Sequence, residues 1–258
     1  MLPDPMPDAS CDANNMSKTN SAILLAILST PNFALAQVLT HGDATGQLEL
    51  SISLHDQSKS ESIAIVPPEK HFEISANLNE SAGGFDETAT GRASATIEEQ
   101  SQSLHLSTDL DLKIFAGAGD VSGSIELNKP FSIHAPTSYT LDWRVHTGTE
   151  LGGSKFDLVR IDPTGNDIVL ISEAGSDFSL GESGLREGTE NGFLPVGEYQ
   201  FMTSVTATGG VGIGLDGGFG RVDLTLSVPE PSSLVLVLLG AFTLMRSKLV
   251  VSAASCRR

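Results

Sequence analysis

The sequence has little positive charge. Its 258 residues carry 15 Lys and Arg against 32 Asp and Glu, which gives a net charge of −17. A protein with so few basic residues lacks the surface that neutralises a phosphate backbone, so nucleic acid is excluded as a partner. Apolar residues make up 40% of the chain and charged residues only 18%, which also excludes a disordered acidic tail.

Cysteine is also scarce. Cys11 and Cys256 are the only two, and both lie outside the middle of the chain, residues 37–228. A disulfide framework is therefore excluded for this middle part. It contains 10 Lys and Arg against 28 Asp and Glu, a net charge of −18, and 25 of the 26 glycines. So many glycines are typical of numerous tight turns and few helices.

Helical periodicity is missing from residues 37–228. Apolar residues instead occupy every second position, most clearly in residues 104–114 and 139–145, which is typical of strands with one buried and one solvated face. We therefore predict an all-β fold, an antiparallel two-sheet β-sandwich of jelly-roll type. A separate small β unit over residues 37–92 is an open alternative. The eleven predicted strands cover residues 48–54, 62–66, 71–79, 104–114, 125–128, 131–135, 139–145, 156–161, 168–172, 198–207 and 222–228.

The N-terminal region has the order of a secretory signal peptide. The basic Lys18 precedes an apolar run at residues 22–28, and the small residues Ala34 and Ala36 follow it. This order predicts export and cleavage by signal peptidase after Ala36. The acidic residues before Met16 have the wrong charge for the start of such a signal. We therefore expect translation to begin at Met16.

The C-terminal region combines a helix breaker, an apolar run and a basic tail. Pro229, Glu230 and Pro231 precede an uncharged run from Leu234 to Met245. Twelve helical residues span about 18 Å, so the predicted membrane helix must thin the bilayer or continue beyond Met245. Its basic end is expected to stay in the cytoplasm. The basic residues of the tail are Arg246, Lys248, Arg257 and Arg258.

This C-terminal arrangement resembles the PEP-CTERM sorting signal of bacterial surface proteins, in which an exosortase reads a Pro-Glu-Pro motif, a short membrane helix and a basic tail. The basic residues here are split by residues 249–251 instead of forming one block, and an ordinary tail anchor is the alternative. We thus divide the chain into an N-terminal extension with signal peptide (1–36), a β-sandwich domain (37–228) and a sorting signal (229–258).

The resemblance implies a location and not an activity. It implies an exported protein of the cell envelope, cell surface or extracellular matrix, which is held in the membrane until an exosortase processes it. The family occurs mostly in bacteria that make extracellular polysaccharide, so a structural or adhesive matrix protein without enzymatic activity is the leading expectation. A carbohydrate-binding module, with or without calcium, is the alternative, and an extracellular hydrolase is a weaker one.

Catalytic and nucleotide-binding motifs are absent from the sequence or out of context. Residues 212–217 match G-x-G-x-x-G, but a predicted strand follows them where a dinucleotide site needs a helix. His105 and Ser107 share one face of a predicted strand, about 6.7 Å apart, and cannot form a hydrogen bond to each other. Asp142 and Glu198 are no better than other carboxylate pairs as catalytic candidates for a hydrolase.

Aspartates in predicted loops and strands offer oxygen ligands for Ca²⁺, the only cofactor that we consider. The best candidate is the loop that contains Asp162, Asn166 and Asp167. Turn residues of this kind also hydrogen-bond to their own backbone, which is the simpler interpretation. The weaker candidates are Asp109, Asp111, Asp177 and Asp216.

Exposed aromatic rings are the usual platforms of carbohydrate binding. The strand pattern predicts that Tyr139, Trp143 and Tyr199 all point into the core. The remaining aromatic candidates for such a platform are the loop residues Phe178, Phe193 and Phe219.

Overall fold

The structure is a computed structural model. It describes residues 37–82, 85–115, 119–148, 152–175, 184–210 and 215–229. All of them belong to one unit that begins at Gln37. The predicted signal peptide, the predicted membrane helix and the basic tail lie outside the described residues.

The described residues form thirteen β-strands and no helix, and apolar and polar side chains alternate along most of the strands. The prediction of an all-β fold is confirmed. The strands are β1 (Leu39–His41), β2 (Thr45–Leu54), β3 (Gln57–Ile65), β4 (His71–Ala82), β5 (Phe85–Gln100), β6 (Ser103–Phe115), β7 (Gly119–Ile133), β8 (Thr137–Thr147), β9 (Gly153–Ile161), β10 (Ile168–Ala174), β11 (Gly184–Leu194), β12 (Gly197–Gly209) and β13 (Leu215–Ser227).

The strands form two antiparallel sheets. The seven-stranded sheet has the order β10-β9-β12-β7-β2-β3, and β1 pairs with the end of β7, beyond the first residue of β2. The six-stranded sheet has the order β11-β8-β13-β6-β5-β4. Strands from residues 37–92 are thus built into both sheets and do not form a separate unit.

The last eight strands pair in a nested way. β9 pairs with β10, β8 with β11, β7 with β12 and β6 with β13, as in one long hairpin that is folded over on itself. β12 also pairs with β9, which joins the pairs β7–β12 and β9–β10 in one sheet. β13 also pairs with β8, which joins the pairs β6–β13 and β8–β11 in the other. The hairpins β2–β3 and β4–β5 extend one sheet each.

The core lies between the inner faces of the two sheets. Leu104, Leu106, Leu110 and Leu112 of β6 are fully buried, as the alternating pattern predicts. The opposite sheet contributes aromatic side chains, and the ring of Phe131 stacks on those of Tyr199 and Phe201 with both centroids at 5.4 Å.

A buried cation also joins the two sheets. Lys129 of β7 is 1% exposed, and its Nζ donates hydrogen bonds to a carboxylate oxygen of Glu99 on β5 and to the carbonyl of Gly42. Burial raises the pKa of Glu99, but hydrogen bonds from Lys129 and Lys70 outweigh that effect and hold it below its usual value. The ion pair is therefore maintained at neutral pH.

The prediction of two short strands at residues 125–128 and 131–135 is wrong, because β7 runs without interruption through Pro130. The carbonyl of Pro130 accepts a hydrogen bond from the Gly42 amide. The nitrogen and carbonyl of one strand residue face the same side, so the Pro130 nitrogen also faces Gly42. On that side β1 has ended and β2 has not begun. Proline is tolerated there because the sheet requires no N–H from it.

Candidate functional site

The outer face of the six-stranded sheet carries a shallow groove of 480 Å³ over β11, β8 and β13. Two neighbouring cross-strand rows of polar side chains line it, and Trp143 and Gly188 complete the lining. We call this feature the polar groove. Its side chains are Thr189, Asp142 and Thr225 in one row and Glu187, Arg144 and Asp223 in the next.

The polar groove follows from the alternation of β8 and from the glycines of β11. Because Trp143 points inward, Asp142 and Arg144 must point outward. Gly188 lies opposite Trp143 in the register, which leaves room for the indole beneath the edge strand. Gly192 likewise leaves room for the ring of Tyr139. The two aromatic rings thus cover the two glycines of the edge strand.

The carboxylates of the polar groove are fixed by short hydrogen bonds. The Thr189 hydroxyl donates to Asp142 at 2.6 Å, and the Ser107 hydroxyl donates to Asp223 at 2.5 Å. An ionised carboxylate has about four acceptor sites, so each of these groups keeps further acceptors for a ligand.

One cation lies in the groove, and it is already paired. Arg144 donates to one oxygen of Glu187 through Nε at 3.1 Å and through Nη2 at 2.9 Å. The remaining N–H groups of Arg144 can donate to a ligand. Since Arg144 and Glu187 cancel, Asp142 and Asp223 leave the groove with a net negative charge.

His105 and Ser107 flank the groove on β6 and contact different partners. His105 Nδ1 is 3.0 Å from the Thr225 hydroxyl, whereas Ser107 donates to Asp223. The two side chains belong to separate cross-strand pairs and do not form a nucleophile–base dyad.

Exposed apolar side chains continue from the polar groove along the same face. Phe219 is 37% exposed and stands edge-on to His146, with ring centroids 4.6 Å apart. Burial, assisted by the charges of Arg221 and Arg144, lowers the pKa of His146. The imidazole is therefore neutral at pH 7. Leu185 and Phe115 are further exposed apolar side chains of this face.

The aromatic residues divide as the sequence pattern predicts. Tyr199 is fully buried, Trp143 is 8% exposed, and Tyr139 is partly buried against the core. Phe193 and Phe219 are both exposed, although each lies in a strand and not in a loop. Phe178 lies outside the described residues.

The two carboxylates named for a hydrolase are not brought together. Asp142 projects from the outer face of the six-stranded sheet, whereas Glu198 lies on β12 in the other sheet. Glu198 accepts a hydrogen bond from Ser132 on the far outer face. The core of the sandwich separates the two side chains.

The predicted calcium loop connects β9 and β10. The Asp162 carboxylate accepts hydrogen bonds from the backbone N–H and the hydroxyl of Thr164, both at 2.7 Å. These bonds lower the pKa of Asp162, the backbone bond most. Asp167 accepts the Asp162 N–H at 3.0 Å. The carboxylates thus stabilise their own turn, and calcium binding by this loop stays a prediction.

No cluster of three or more His, Cys, Asp or Glu side chains in the described ranges could hold a metal ion. Asn166 is exposed in the same turn. Asp109 pairs with Arg221 at 2.9 Å and Asp111 with Lys113 at 2.5 Å, both on the outer face of the six-stranded sheet.

The predicted processing signals fall almost entirely outside the described residues. Pro229 is exposed and follows β13. Within the part of the chain that the structure covers, no helix has the length and hydrophobicity needed to cross a bilayer. The signals outside that part are Ala34, Ala36, Glu230, Pro231, Arg246, Lys248, Arg257 and Arg258.

The polar groove as a unit was not predictable from the sequence. Its residues come from three strands that are up to 83 positions apart, and only their register brings them together. The alternation in β8 could place Asp142 and Arg144 outward, but β11 carries no alternating signal because glycine or a polar residue fills most of its positions.

No protein-family model matches the chain, and no curated protein matches its sequence. Among solved structures, it is similar to the CBM22-1 xylan-binding domain of Paenibacillus barcinonensis Xyn10C, at 10% identity and a TM-score of 0.27 over 62% of this chain and 95% of that chain. It is also similar to the N-terminal cellulose-binding domain of Cellulomonas fimi β-1,4-glucanase C, at 12% identity and a TM-score of 0.23 over 59% of this chain and 88% of that chain.

A third similar structure is the enzymatically active domain of tailspike protein 4 of bacteriophage CBA120, at 9% identity and a TM-score of 0.26. The match covers 61% of this chain but only 19% of the tailspike chain. TM-scores this low do not establish a shared fold. The function is therefore inferred from the residues of this chain.

Proposed function

We propose that this chain is an exported surface or matrix protein whose β-sandwich binds extracellular polysaccharide and has no catalytic role. The observation that carries the proposal is the polar groove, with exposed Phe219 on the same face. Sugars present many hydroxyls and weakly apolar ring faces. Fixed carboxylates, hydroxyls and guanidinium N–H groups match the hydroxyls, and an exposed ring matches the apolar faces. Binding of polysaccharide by this groove would attach the protein to the matrix, which is the adhesive role expected from the sequence.

The charge of the groove narrows the class of polysaccharide. Asp142 and Asp223 are not neutralised by a cation in the groove, and the whole domain is acidic. A uronic-acid polymer would be repelled, whereas neutral or amino-sugar polymers would not. We therefore propose a neutral or amino polysaccharide as the ligand.

The nested pairing of β6 to β13 supports a finer statement about the fold. A long antiparallel hairpin rolled into two sheets is the plan of a jelly roll. We infer that these eight strands are a jelly roll and that the hairpins β2–β3 and β4–β5 widen its sheets. The groove lies on β11, β8 and β13, which belong to these eight strands.

We also propose the processing route that the sequence implies. Signal peptidase would cleave after Ala36, the membrane would hold the chain through residues 234–245, and an exosortase would act at the sorting motif that begins at Pro229. Support comes from the order of basic, apolar and Pro-Glu-Pro segments. Mass spectrometry of the two ends of the mature protein tests this route, and an intact Arg258 in the outer fraction would contradict it.

Native affinity electrophoresis tests the polysaccharide proposal. Gels that contain xylan, chitosan or alginate represent neutral, amino and acidic polymers. We expect xylan or chitosan, and not alginate, to retard the protein. Replacement of both Asp142 and Asp223 by alanine should weaken this retardation at least tenfold.

The matched control lies on the other sheet. Glu49 of β2 and Glu126 of β7 are exposed carboxylates on its outer face, and their replacement by alanine changes the net charge by the same amount. This control should bind like the natural sequence. Equal losses in both double variants would show a general charge effect and would count against the groove.

A further inference from the structure

The chain leaves the domain at one end of the sandwich, and several loops lie at the same end. The register places Ser227, the last residue of β13, beside Thr140 near the start of β8 and Ser103 at the start of β6. The described chain continues only to Pro229. We call this end the exit end, and its loops are residues 66–70, 101–102, 134–136, 162–167 and 195–196.

The exit end carries exposed apolar side chains in its loops and at the neighbouring strand ends. Ten large apolar side chains are exposed among the described residues, and half of them lie here, with Phe193 the most exposed at 64%. They come from the β3–β4 and β11–β12 connections, from the end of β11 and from the start of β10. The five side chains are Val66, Ile168, Val169, Phe193 and Val196.

These side chains are not needed to close the core. Leu194 is buried in the core, whereas its neighbour Phe193 points into solvent. Arg160 pairs with Ile168 in the register, and its Nη2 lies 3.5 Å from the Val196 carbonyl. Arg160 thereby holds the apolar start of β10 and the apolar turn at Val196 at the same corner of the exit end.

The short connection between the domain and the apolar run decides which end of the sandwich can reach a bilayer. Only residues 230–233 separate Pro229 from the apolar run that begins at Leu234, and a step of five residues spans at most about 17 Å. The thirteen residues of β12 extend about 43 Å, which approximates the distance to the far end. If the run enters the bilayer, only the exit end can touch the lipid.

We propose that the exit end is a membrane-docking surface, on which Phe193, Val196, Ile168, Val169 and Val66 rest on the headgroup interface while the tail is inserted. This inference rests on the membrane insertion in the proposed function. Aromatic and aliphatic side chains favour this interface. Asp162 and Asp167 lie at the same end and would be repelled by anionic headgroups, so the surface fits zwitterionic lipid best.

Energy transfer to lipid in phosphatidylcholine vesicles tests the proposal with the full chain. Cys11 and Cys256 are replaced by serine, and one new cysteine carries a donor dye, either by Val196→Cys at the exit end or by Asp56→Cys in the β2–β3 turn at the far end. With acceptor dye on the lipid headgroups, donor emission at position 196 should fall several-fold. Emission at position 56 should change little.

Two exposed rings supply matched variants. Phe193→Ser at the exit end should reduce the transfer from position 196 at least twofold, whereas Phe115→Ser, which removes a ring that is 53% exposed at the far end, should leave it unchanged. Equal transfer from both positions in vesicle-bound protein would overturn the docking surface alone. Failure of the chain to float with vesicles would overturn the insertion of the tail and the docking surface together.

Discussion

Replacement of Gly188 by alanine tests the packing beneath the polar groove. A Cβ at this position would lie 2.7 Å from Cζ2 and 2.8 Å from Cε2 of Trp143, closer than real Cβ contacts come. Alanine in a strand is otherwise more favourable than glycine, so strand propensity alone predicts a gain in stability. The packing predicts the opposite sign, because the indole must move.

The indole has little freedom to move. It is 8% exposed, its ring centroid lies 5.9 Å from that of Phe156, and the Arg186 guanidinium lies 6.0 Å from the ring centre. Overpacking of this kind costs about 1–3 kcal/mol. For a domain of this size, about 2 kcal/mol lowers the Tm by about 4–8 °C.

Gly153→Ala on β9 is the matched control. An added Cβ there meets nothing within 4 Å, so the variant should be neutral or stabilised by up to about 1 kcal/mol. Circular dichroism gives the Tm of both variants. Trp143 is the only tryptophan, so its emission reports the displacement directly, and we expect a red shift in Gly188→Ala alone.

Two results would show that the Trp143 indole does not resist a Cβ at position 188. The first is a Tm for Gly188→Ala within 1 °C of that for the Gly153 control. The second is an equal loss for Gly188→Ala in a Trp143→Leu background, because a smaller side chain should relieve the clash and reduce the cost.

Three further substitutions probe separate contacts. Lys129→Met leaves Glu99 without its buried partner and should cost about 2–4 kcal/mol in urea unfolding; a loss below 1 kcal/mol would contradict the role of the pair. A hydrogen bond with Glu87 raises the pKa of His55, so its stabilisation is complete below about pH 6.5 and is lost as pH rises through the raised pKa. His55→Asn, which tolerates the φ of 49°, should therefore lower the Tm more at about pH 5.5 than at about pH 9, and a reversed order would refute the pair. Tyr199→Phe removes the 2.7 Å hydrogen bond to the Pro195 carbonyl and should lower stability by about 1 kcal/mol, whereas an unchanged Tm would show that the bond is dispensable.

Strands with large inward side chains were predictable from the sequence, and β5 was not. The inward residues of β5 include Ala89, Gly91, Ala93 and Ala95, whose small size gives a weak apolar period. The structure explains the small residues, because a Cβ on Gly91 would lie 2.5 Å from Leu50 of the other sheet. Close approach of the sheets thus removes the signal that would have revealed the strand.

The candidate site was less predictable than the fold. Outward positions on β8 follow from alternation, but the polar groove also needs β11, an edge strand whose residues are nearly all exposed. Nothing in a local pattern places Glu187 beside Arg144 or Thr225 beside Asp142. These neighbours depend on the long-range pairing of β8 with β11 and β13, which strand periodicity does not encode.

A ligand-induced shift in Tm tests directly whether the polar groove binds polysaccharide. A ligand that binds only the folded state adds about 2.7 kcal/mol at a concentration of 100 times its Kd, or a rise of about 5–10 °C for a domain of this size. We predict this rise with a neutral or amino polysaccharide and its loss when Asp142 and Asp223 are replaced by alanine. No rise with any such polymer, or an undiminished rise in that variant, would show that the polar groove does not bind polysaccharide.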